Sequence, residues 1–375
     1  MSLSRDNDYA MYLYTCNRCR TCAVEPSPEH LPVCPSYRRF GFFAYSGGGK
    51  GYVAQGIIEG KVPPSREAQE VAMNCLMCGA CVAACPPGFD INNFVRDLRD
   101  HLVAAGYFAN DAHRRVLENL RTKGNPWGKA PIPTGLPEFT GEQELLVWQG
   151  CQERRAPKLM PSVAKILAAA GVSWGVLADE PCCGGPLLDL GDRGAFATQA
   201  EKALAAVEGS GAARVLALCP HCAAAFGADY MEVGDLAAEA LTLPGYLAEL
   251  VGQERLKFSD GPEQTVTYHD PCRLARWLSE VDAPREVLAA VPGLTLAEME
   301  RNGEWTWCCG AGGLAASIVP DLADFTAGER IVEARQTGAD RIVTACTYCT
   351  QMLAKKSGKK QKVVHLADLI AERLG

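Results

Sequence analysis

The stretch WTWCCGAGG, residues 305–313, places Cys308 and Cys309 side by side ahead of a glycine-rich turn. Neighbouring residues of an extended strand point to opposite sides, so two adjacent thiols reach one site only where the chain turns sharply. Glycines permit such a turn and let backbone N–H groups approach closely. A second stretch, CCGG at residues 182–185, repeats the arrangement. Each stretch therefore predicts a site at which paired thiols face the same bound group.

Each cysteine pair belongs to a larger set of five. The spacings are C-x30-CC-x35-C-x2-C and C-x35-CC-x36-C-x2-C, and the two sets are offset by 121 to 127 residues. The flanks repeat as well, because GAARVLALC ends at the fourth cysteine of one set and GADRIVTAC at the fourth of the other. The chain therefore contains an internal duplication. The two sets are Cys151, Cys182, Cys183, Cys219 and Cys222, and Cys272, Cys308, Cys309, Cys346 and Cys349.

The other eight cysteines form two blocks nearer the N-terminus. CNRCRTC at residues 16–22 is followed by a Cys-Pro pair at residues 34–35, and CLMCGACVAACP at residues 75–86 has the iron–sulfur spacing C-x2-C-x2-C-x3-C-P. In that pattern three close thiolates bind one cluster and the fourth binds the other. The blocks predict two [4Fe-4S] clusters, held by Cys16, Cys19, Cys22 and Cys85, and by Cys34, Cys75, Cys78 and Cys81. Zinc sites, which also use C-x2-C pairs, are the alternative.

The first block departs from this pattern in two ways. Eleven residues, AVEPSPEHLPV, stand where three are usual, and Arg20 stands where glycine is common. The longer loop would shield its cluster or meet a partner. The positive charges of Arg18 and Arg20 would favour the reduced cluster. The alternative is that both arginines are merely solvated.

The cysteine count and the N-terminus together indicate metal sites in a cytoplasmic protein. The chain has 18 cysteines in 375 residues, and MSLSRDNDYAMYLY lacks the apolar core of a secretory signal. Cytosolic thiols are kept reduced, so nine disulfides are not expected. The longest apolar runs are too short or too interrupted to cross a membrane. Any membrane association would therefore come through a partner subunit.

Charge argues against nucleic acid as the ligand. The formal net charge is −7 and no basic face is clustered, whereas phosphate binding needs concentrated Lys and Arg. The run KKSGKKQK at residues 355–362 is the exception. It is interpreted either as a docking patch for an acidic partner or as a solvated loop between a helix and a strand.

The pattern of apolar residues predicts an α + α/β fold. Helical stretches such as SREAQEVAMNCL and NNFVRDLRDHLVAAG surround the first two blocks, and YSGGGKGY is interpreted as a helix entry because it lacks the residues of a phosphate loop. Beyond the Pro- and Gly-rich GKAPIPTGLPEFTGE, strands such as ELLVWQG, ARVLALC, TVTYH and RIVTAC alternate with helices such as FATQAEKALAAVEGSG. Alternation of this kind predicts parallel sheets, one in each repeat.

The expected domains follow from this change of pattern. A helical ferredoxin-type domain would occupy residues 1–130, a linker residues 131–145, and two α/β repeats residues 146–262 and 263–375. Ligands of parallel sheets bind beyond the carboxyl ends of the strands. Cys151, Cys219, Cys272 and Cys346 each stand at or just past such an end, so the thiols are expected to gather along one edge.

Four segments carry a resemblance to a known family: CCGGPLLDLGD, CPHC, YHDPCRLAR and WCCGAGG. They resemble the CCG-domain iron–sulfur proteins, and the whole chain is similar in layout to the D subunit of heterodisulfide reductase, in which a two-cluster ferredoxin domain is fused to two CCG repeats. The resemblance implies that each five-cysteine set holds a noncubane [4Fe-4S] cluster in which one cysteine bridges two irons. It also implies that a disulfide substrate sits between the two clusters.

By this resemblance the chain is an oxidoreductase subunit that passes electrons between its ferredoxin-type clusters and a disulfide or thiol at the noncubane pair. Its partner would be a flavoprotein or a membrane cytochrome b. The alternative is a pure electron relay in a flavin- or quinone-linked dehydrogenase, as in the iron–sulfur subunits of glycolate oxidase and anaerobic glycerol-3-phosphate dehydrogenase, or in a larger redox complex. In many of those relatives one CCG motif is degenerate, whereas both are intact here. A third alternative is a metal-binding scaffold without redox function.

The resemblance also places the chemistry on the paired, cluster-bound thiols, Cys182, Cys183, Cys308 and Cys309. Two histidines, His221 and His269, stand beside cysteines of these sets. They would either supply protons near neutral pH or donate hydrogen bonds to cluster sulfur and backbone.

Four further residues near the motifs are expected to be structural. Trp305 and Trp307 are predicted to be core or shielding residues. Asp270 and Arg273 are predicted to be structural partners in the turn at the end of a strand.

Overall fold

A computed structural model describes residues 16–24, 31–132, 135–358 and 361–375. The N-terminal segment for which no leader was predicted lies outside the described residues, and so does most of the eleven-residue loop at residues 23–33. Within the described ranges, no helix combines the length and the apolar character needed to cross a bilayer.

The N-terminal part is helical. Ser46 begins the second helix there, since its hydroxyl accepts a 3.0 Å hydrogen bond from the Gly49 N–H. This confirms that YSGGGKGY is a helix entry. The helices are α1 (Pro35–Phe40), α2 (Gly47–Ile58), α3 (Arg66–Met73), α4 (Ala80–Ala83), α5 (Ile91–Ala104) and α6 (Asp111–Lys123).

The first repeat forms a four-stranded parallel sheet. Its strands are β1 (Leu145–Trp148), β2 (Trp174–Gly175), β3 (Arg214–Ala217) and β4 (Glu239–Thr242), in the order β2-β1-β3-β4. Its helices are α7 (Gly150–Arg155), α8 (Met160–Ala169), α9 (Gly185–Asp189), α10 (Arg193–Ser210), α11 (Pro220–Gly227) and α12 (Leu243–Gly252).

The second repeat has the same topology. Its strands are β5 (Gln264–Tyr268), β6 (Leu294–Leu296), β7 (Arg341–Thr344) and β8 (Lys362–His365), parallel and in the order β6-β5-β7-β8. Its helices are α13 (Ala283–Ala289), α14 (Ala315–Ile318), α15 (Pro320–Gln336), α16 (Thr347–Ser357) and α17 (Leu366–Arg373). A π-helical turn at Arg273–Trp277 stands where the first repeat has α7. The shared strand order confirms the duplication and the α + α/β fold.

The cysteines lie where the strands predict them. Cys151 follows β1, Cys219 follows β3, Cys272 follows β5 and Cys346 follows β7. Because the sheets are parallel, each repeat collects its thiols at the carboxyl edge of its own two central strands.

The two repeats share one hydrophobic core. It contains Leu145 and Val147 of the first sheet and Val266 and Val343 of the second. Helices α8 and α17 pack together, and the Ser162 hydroxyl donates a 2.5 Å hydrogen bond to the Asp368 carboxylate across this contact. The two thiol-bearing edges are thereby held in a fixed relation.

The basic run at residues 355–362 spans the end of α16 and the start of β8. Lys355 and Lys356 each lie 2.9 Å from the Asp324 carboxylate of α15. Residues 359 and 360 lie outside the described part. The described lysines therefore join a helix to its neighbour, as expected of a segment between a helix and a strand.

Buried arginines of α5 attach the helical part to the repeats. Arg96 donates hydrogen bonds of 2.8 Å to the carboxylates of Asp189 and Asp229. Arg99 donates to the carbonyls of Ala72 at 2.8 Å and Cys75 at 2.9 Å, and also to the Asp189 carbonyl. The desolvation cost of burying these guanidinium groups is offset by two carboxylates at Arg96 and by carbonyl acceptors at Arg99.

Candidate iron–sulfur sites

The four cysteines predicted for the first ferredoxin-type site line one cavity. It has a volume of about 580 Å³ and is bounded by Cys16, Cys19, Cys22 and Cys85. The Cys22 thiol accepts a 3.3 Å hydrogen bond from the Gly48 N–H, and Cys19 is exposed to solvent. Of the predicted sites, this is the one that reaches the surface through an exposed thiol.

Arg18 and Arg20 line this cavity, and both are exposed to solvent. The Arg18 guanidinium lies 5.1 Å from the centroid of the Tyr52 ring, and that of Arg20 lies 5.5 Å from the Phe43 ring. Both residues have positive φ, 56° and 68°. The positive charge expected near this site is therefore present, on side chains that also meet solvent.

The thiols of the second ferredoxin-type set also lie together. The charges of Cys75 and Cys78 act on Cys34, and those of Cys75, Cys34 and Cys78 act on Cys81. Burial raises the pKa of the Cys34 thiol to about 12. The structure thus brings Cys34 close to Cys75, Cys78 and Cys81, and their binding of one cluster stays a prediction.

A buried cation beside the second set was missed by the sequence reasoning. Lys50 of α2 is 1% exposed, and its ammonium donates to the Tyr45 carbonyl. Burial lowers its pKa, while the neighbouring thiols of Cys75 and Cys34 oppose that shift. The segment GGGKGY could have indicated that Lys50 is buried, because small glycines around a lysine at the start of a helix leave room for its side chain in the interior.

Each five-cysteine set is organised around the second cysteine of its pair. The thiols of Cys182 and Cys222 lie beside Cys183 and lower the pKa of Cys183 well below its usual value. Cys309 likewise has its pKa lowered by the thiols of Cys308 and Cys349. The remaining members join the same contacts, through Cys219 with Cys222, Cys151 with Cys183, Cys272 with Cys308 and Cys346 with Cys349.

The predicted sharp turns follow both pairs. Gly184 has φ 77° and Gly310 has φ 92°, in the left-handed region that favours glycine. Their N–H groups donate to the thiols of Cys182 and Cys308, each at 3.4 Å. Backbone amides therefore point at the sulfurs, as suits negatively charged thiolates.

A central cavity of about 750 Å³ lies between the two sets. Eight of the ten cysteines line it, and the two that do not are Cys182 and Cys308. The second cysteine of each pair therefore faces the shared cavity, while the first is buried away from it.

The two predicted histidines occupy different environments. A ring nitrogen of His269 and the sulfurs of Cys309 and Cys349 lie within 4.8 Å of one another, and the other side of the ring is held by Arg330, whose Nε donates to Nδ1 at 3.0 Å. His221 lies 3.5 Å from the Asp189 carboxylate. Burial lowers the pKa of both imidazoles.

Tyr348 is a site residue that the sequence reasoning missed. It occupies the position in the second repeat that His221 occupies in the first, two residues after the fourth cysteine of the set. Its hydroxyl contacts the thiol of Cys151 in the other repeat, and its ring stacks on Trp127 with centroids 6.5 Å apart. The repeat alignment singled out this position, although only the fold shows that it reaches across.

Two predictions about neighbouring residues need correction. Trp307 is 2% exposed and donates to the Thr326 carbonyl at 3.1 Å, but Trp305 is 46% exposed because it ends a short 3₁₀ turn at the surface. Asp270 is structural within its own repeat, where its carboxylate pairs with Arg285 at 2.7 Å. Arg273 reaches instead to Asp189 in the first repeat.

Among the described residues, the thiols of the helical part and of the repeats meet at the second set. The Cys308 thiol lies beside that of Cys78 and lowers the pKa of Cys78 to about 6. Arg276 donates to the Cys78 carbonyl at 3.0 Å, and Gly312 packs so closely that an added Cβ would lie 2.0 Å from the Leu76 carbonyl oxygen. This contact joins the ferredoxin-type part to the repeats in addition to the buried arginines of α5.

The donor sets fit iron–sulfur clusters. Soft thiolates are the preferred ligands of such clusters, and here they are grouped in fours and fives with backbone amides directed at them. Fold and donor sets together define the class as an iron–sulfur electron-transfer protein.

Comparison with known families supports this class. The model of the Cysteine-rich domain, CCG, matches residues 145–227 and 266–354, and that of the 4Fe-4S dicluster domain matches residues 12–89. The chain belongs to the CCG-domain iron–sulfur proteins and is an oxidoreductase subunit.

Individual relatives share much of the chain. The D subunit of the dihydromethanophenazine:CoB–CoM heterodisulfide reductase of Methanosarcina mazei is 28% identical, over 97% of this chain and 95% of its own length. The probable iron-sulfur-binding oxidoreductase FadF of Bacillus subtilis is 31% identical over 81% of this chain, and EtfAB:quinone oxidoreductase of Syntrophomonas wolfei 29% over 80%. The chain spans about half the length, 46%, of these last two. A crystal structure of a hypothetical protein from Helicobacter pylori shares the fold at a TM-score of 0.61 and 10% identity, covering 88% of this chain and 68% of its own.

Proposed function

We propose that the chain is the electron-transferring subunit of a heterodisulfide reductase-like complex, with two cubane and two noncubane [4Fe-4S] clusters. The cubane clusters would be held by Cys16, Cys19, Cys22 and Cys85, and by Cys34, Cys75, Cys78 and Cys81. The noncubane clusters would be held by Cys151, Cys182, Cys183, Cys219 and Cys222, and by Cys272, Cys308, Cys309, Cys346 and Cys349. The similarity to the D subunit of heterodisulfide reductase over 97% of the chain supports this assignment.

The observation that carries the proposal is the central cavity, because both five-cysteine sets open into it. Cleaving a disulfide requires two electrons and produces two thiolates. Iron–sulfur clusters held by the two cysteine sets would supply those electrons one at a time. A cavity that presents two thiolate sets to one ligand suits that stoichiometry.

The chain's own residues order the electron route. Cys19 is the exposed end, and the contact of Cys78 with Cys308 joins the ferredoxin-type part to the second repeat. Cys309 then faces the central cavity, as does Cys183 on the other side. In this arrangement the first repeat is the end of the route, Cys308 lies at the electron entry, and Cys183 and Cys309 face the substrate.

Within the cavity, the chain's polar groups orient the ligand and stabilise charge. Arg273 lines it, is paired with Asp189, and retains one guanidinium nitrogen, Nη1, without a hydrogen-bond partner. His221 lines the same wall, and His269 contacts Cys309 behind it. We assign the two imidazoles as hydrogen-bond donors to cluster sulfur, with proton delivery to a product thiolate as their further role.

A second candidate function is that of a relay without a substrate of its own. The similarity to FadF and to EtfAB:quinone oxidoreductase favours it, since the latter name specifies a quinone-linked reaction. In both functions a flavoprotein or a membrane cytochrome b is the proposed partner, and the subunit that co-purifies with the chain would identify it.

An anaerobic experiment separates the two functions. The iron-loaded protein is titrated with a small thiol while the paramagnetic signals of its clusters are recorded, and disulfide reduction is assayed with a strong chemical electron donor. The reductase-like function predicts a changed signal and thiol production. Unchanged signals without disulfide reduction would leave the relay.

A further inference from the structure

A second cavity reaches the first five-cysteine set from its outer side. It has a volume of about 560 Å³ and is lined by Cys182, which the central cavity does not reach, as well as by Cys151. One wall is the end of α6 and the chain that follows it, residues 123–131, and the other is α7 with residues 180–182.

The side chains lining this cavity are strongly cationic. Lys123, Lys129, Arg154 and Arg155 all line it, and none of the four forms an ion pair with any residue that the structure describes. The single acidic residue of the lining is Glu180. Its two carboxylate oxygens accept hydrogen bonds from the backbone N–H groups of Gln149 at 2.7 Å and Gly150 at 2.8 Å. Four cations against one engaged carboxylate, in a chain of net charge −7, make the cavity locally electropositive.

The two arginines are already fixed in place. Arg154 donates to the Glu180 carbonyl, and the Arg155 guanidinium lies 4.3 Å from the centroid of the Trp127 ring. The Nε of Arg155 is buried and has no hydrogen-bond partner. A ligand would therefore meet preorganised donors, which lowers the entropic cost of binding.

The internal duplication shows what the corresponding face of the second repeat does. Arg276 stands four residues after Cys272, as Arg155 stands four residues after Cys151. Arg276 donates to the Cys78 carbonyl, and Cys308, the counterpart of Cys182, contacts the Cys78 thiol. In the second repeat this face is therefore covered by the loop that bears Cys78, whereas in the first repeat the same face is an open cationic cavity.

We propose that this outer cavity binds a small anion through a phosphate or carboxylate group placed beside Cys182. The guanidinium groups of two arginines and the ammonium groups of two lysines are suitable hydrogen-bond donors for the oxygens of such a group. Anion binding does not depend on the proposed function. One consequence does rest on the proposed function. A bound anion should favour the oxidised state of the first repeat's cluster and so lower the reduction potential of that cluster.

The binding test uses the iron-loaded protein and inorganic phosphate, followed by anaerobic calorimetry. The variant K123Q/K129Q removes two exposed cations of the cavity, and the matched control K202Q/K257Q removes two exposed lysines elsewhere. We expect phosphate to bind about ten-fold more weakly to K123Q/K129Q, with the control unchanged. Failure of phosphate to bind the wild-type protein, or equal affinities for all three proteins, would overturn the proposal.

Competition distinguishes the source of the anionic group. Displacement of phosphate by both propionate and 3-mercaptopropionate supports a site for a free anion. Displacement by 3-mercaptopropionate alone supports a group carried on a thiol substrate. If neither competes and K123Q/K129Q also binds normally, the cavity is not an anion site. A redox titration with and without phosphate then tests the linked consequence. An unchanged potential despite lysine-dependent binding would contradict the effect of the anion on the cluster, and the absence of a redox signal from this set would contradict the proposed cluster, while either result leaves the anion site intact.

Discussion

The thiol of Cys308 lies beside the thiol of Cys78, although the two residues are 230 positions apart in the chain. Cys78 belongs to the second ferredoxin-type set and Cys308 to the second repeat. The first repeat has no counterpart to this contact among the described residues, because Cys182 faces the outer cavity instead. The two repeats therefore share a fold but differ in their contact with the ferredoxin-type part.

Gly312 is expected to control this junction. In Gly312→Ala the new Cβ would lie 2.0 Å from the Leu76 carbonyl oxygen, so the loop bearing Cys78 must move. We expect near-normal iron content but slower electron transfer into the repeats, measured by rapid-freeze paramagnetic resonance after mixing with a reductant.

Gly328→Ala is the matched control, because Gly328 lies in α15 and an added Cβ there meets nothing within 4 Å. Wild-type rates in both variants would mean that the Cys78 contact is not on the electron route.

Asp189 is expected to be essential for joining the three parts of the chain. Its fully buried carboxylate pairs with Arg96 of α5 and Arg273 of the second repeat, and these charges hold its pKa below the usual range. Asp189→Asn leaves two buried guanidinium groups undercompensated and should lower the free energy of unfolding by about 3–5 kcal/mol. Guanidinium denaturation of the iron-loaded protein measures this loss.

Asp321→Asn removes an exposed ion pair with Arg39, 2.7 Å long, and serves as the control. Its cost should stay below about 1 kcal/mol. Equal effects of the two substitutions would show that the buried network contributes no more than a surface pair.

The stability of the chain should decrease in mild acid because of His113. Burial lowers its pKa to about 4, the nearby guanidinium groups of Arg99 and Arg121 act in the same direction, and its Nε2 lies 2.9 Å from the Leu190 carbonyl. The unfolded state, with a pKa of about 6.5, binds more protons between pH 4 and 6.5, so stability falls as the pH drops through that window.

Between pH 7.5 and 5 this group alone should cost about 2 kcal/mol. His113→Gln should reduce the pH dependence of the free energy of unfolding by that amount, and guanidinium denaturation at the two pH values measures it. A variant whose midpoint shifts with pH as much as that of the wild-type protein would contradict the assignment.

Lys50 should raise the reduction potential of the second ferredoxin-type site, because a buried positive charge favours the reduced form. Lys50→Gln keeps a donor for the Tyr45 carbonyl and removes the charge. We expect the potential to fall by on the order of 50–100 mV in a redox titration. Lys202→Gln, an exposed substitution, should leave it unchanged, and a potential that rises or stays constant in Lys50→Gln would refute the role.

The sequence predicted what depends on local pattern. Strand ends before Cys151, Cys219, Cys272 and Cys346, the helix entry at Ser46 and the duplicated sheet topology follow from apolar periodicity and spacing. These signals lie within a few residues of the features they predict.

Contacts between the parts of the chain could not be predicted in this way. Tyr348 reaches Cys151, and Arg273 reaches Asp189, because two sheets and a helical unit are packed in one particular orientation that no single segment encodes. Trp305 was predicted to be a core or shielding residue, but it ends a turn two residues before the buried Trp307 and lies at the surface. Lys50 became buried only because α2 packs against the thiol-bearing loops.

Metal content and type test the central claim most directly. Anaerobically purified chain, with iron and zinc measured per chain and the iron resolved by Mössbauer spectroscopy, should contain about 16 Fe and no zinc, with about half of the iron in an environment distinct from cubane clusters. About 8 Fe per chain with ten cysteines of the repeats still titrating as free thiols, or zinc in their place, would contradict the account.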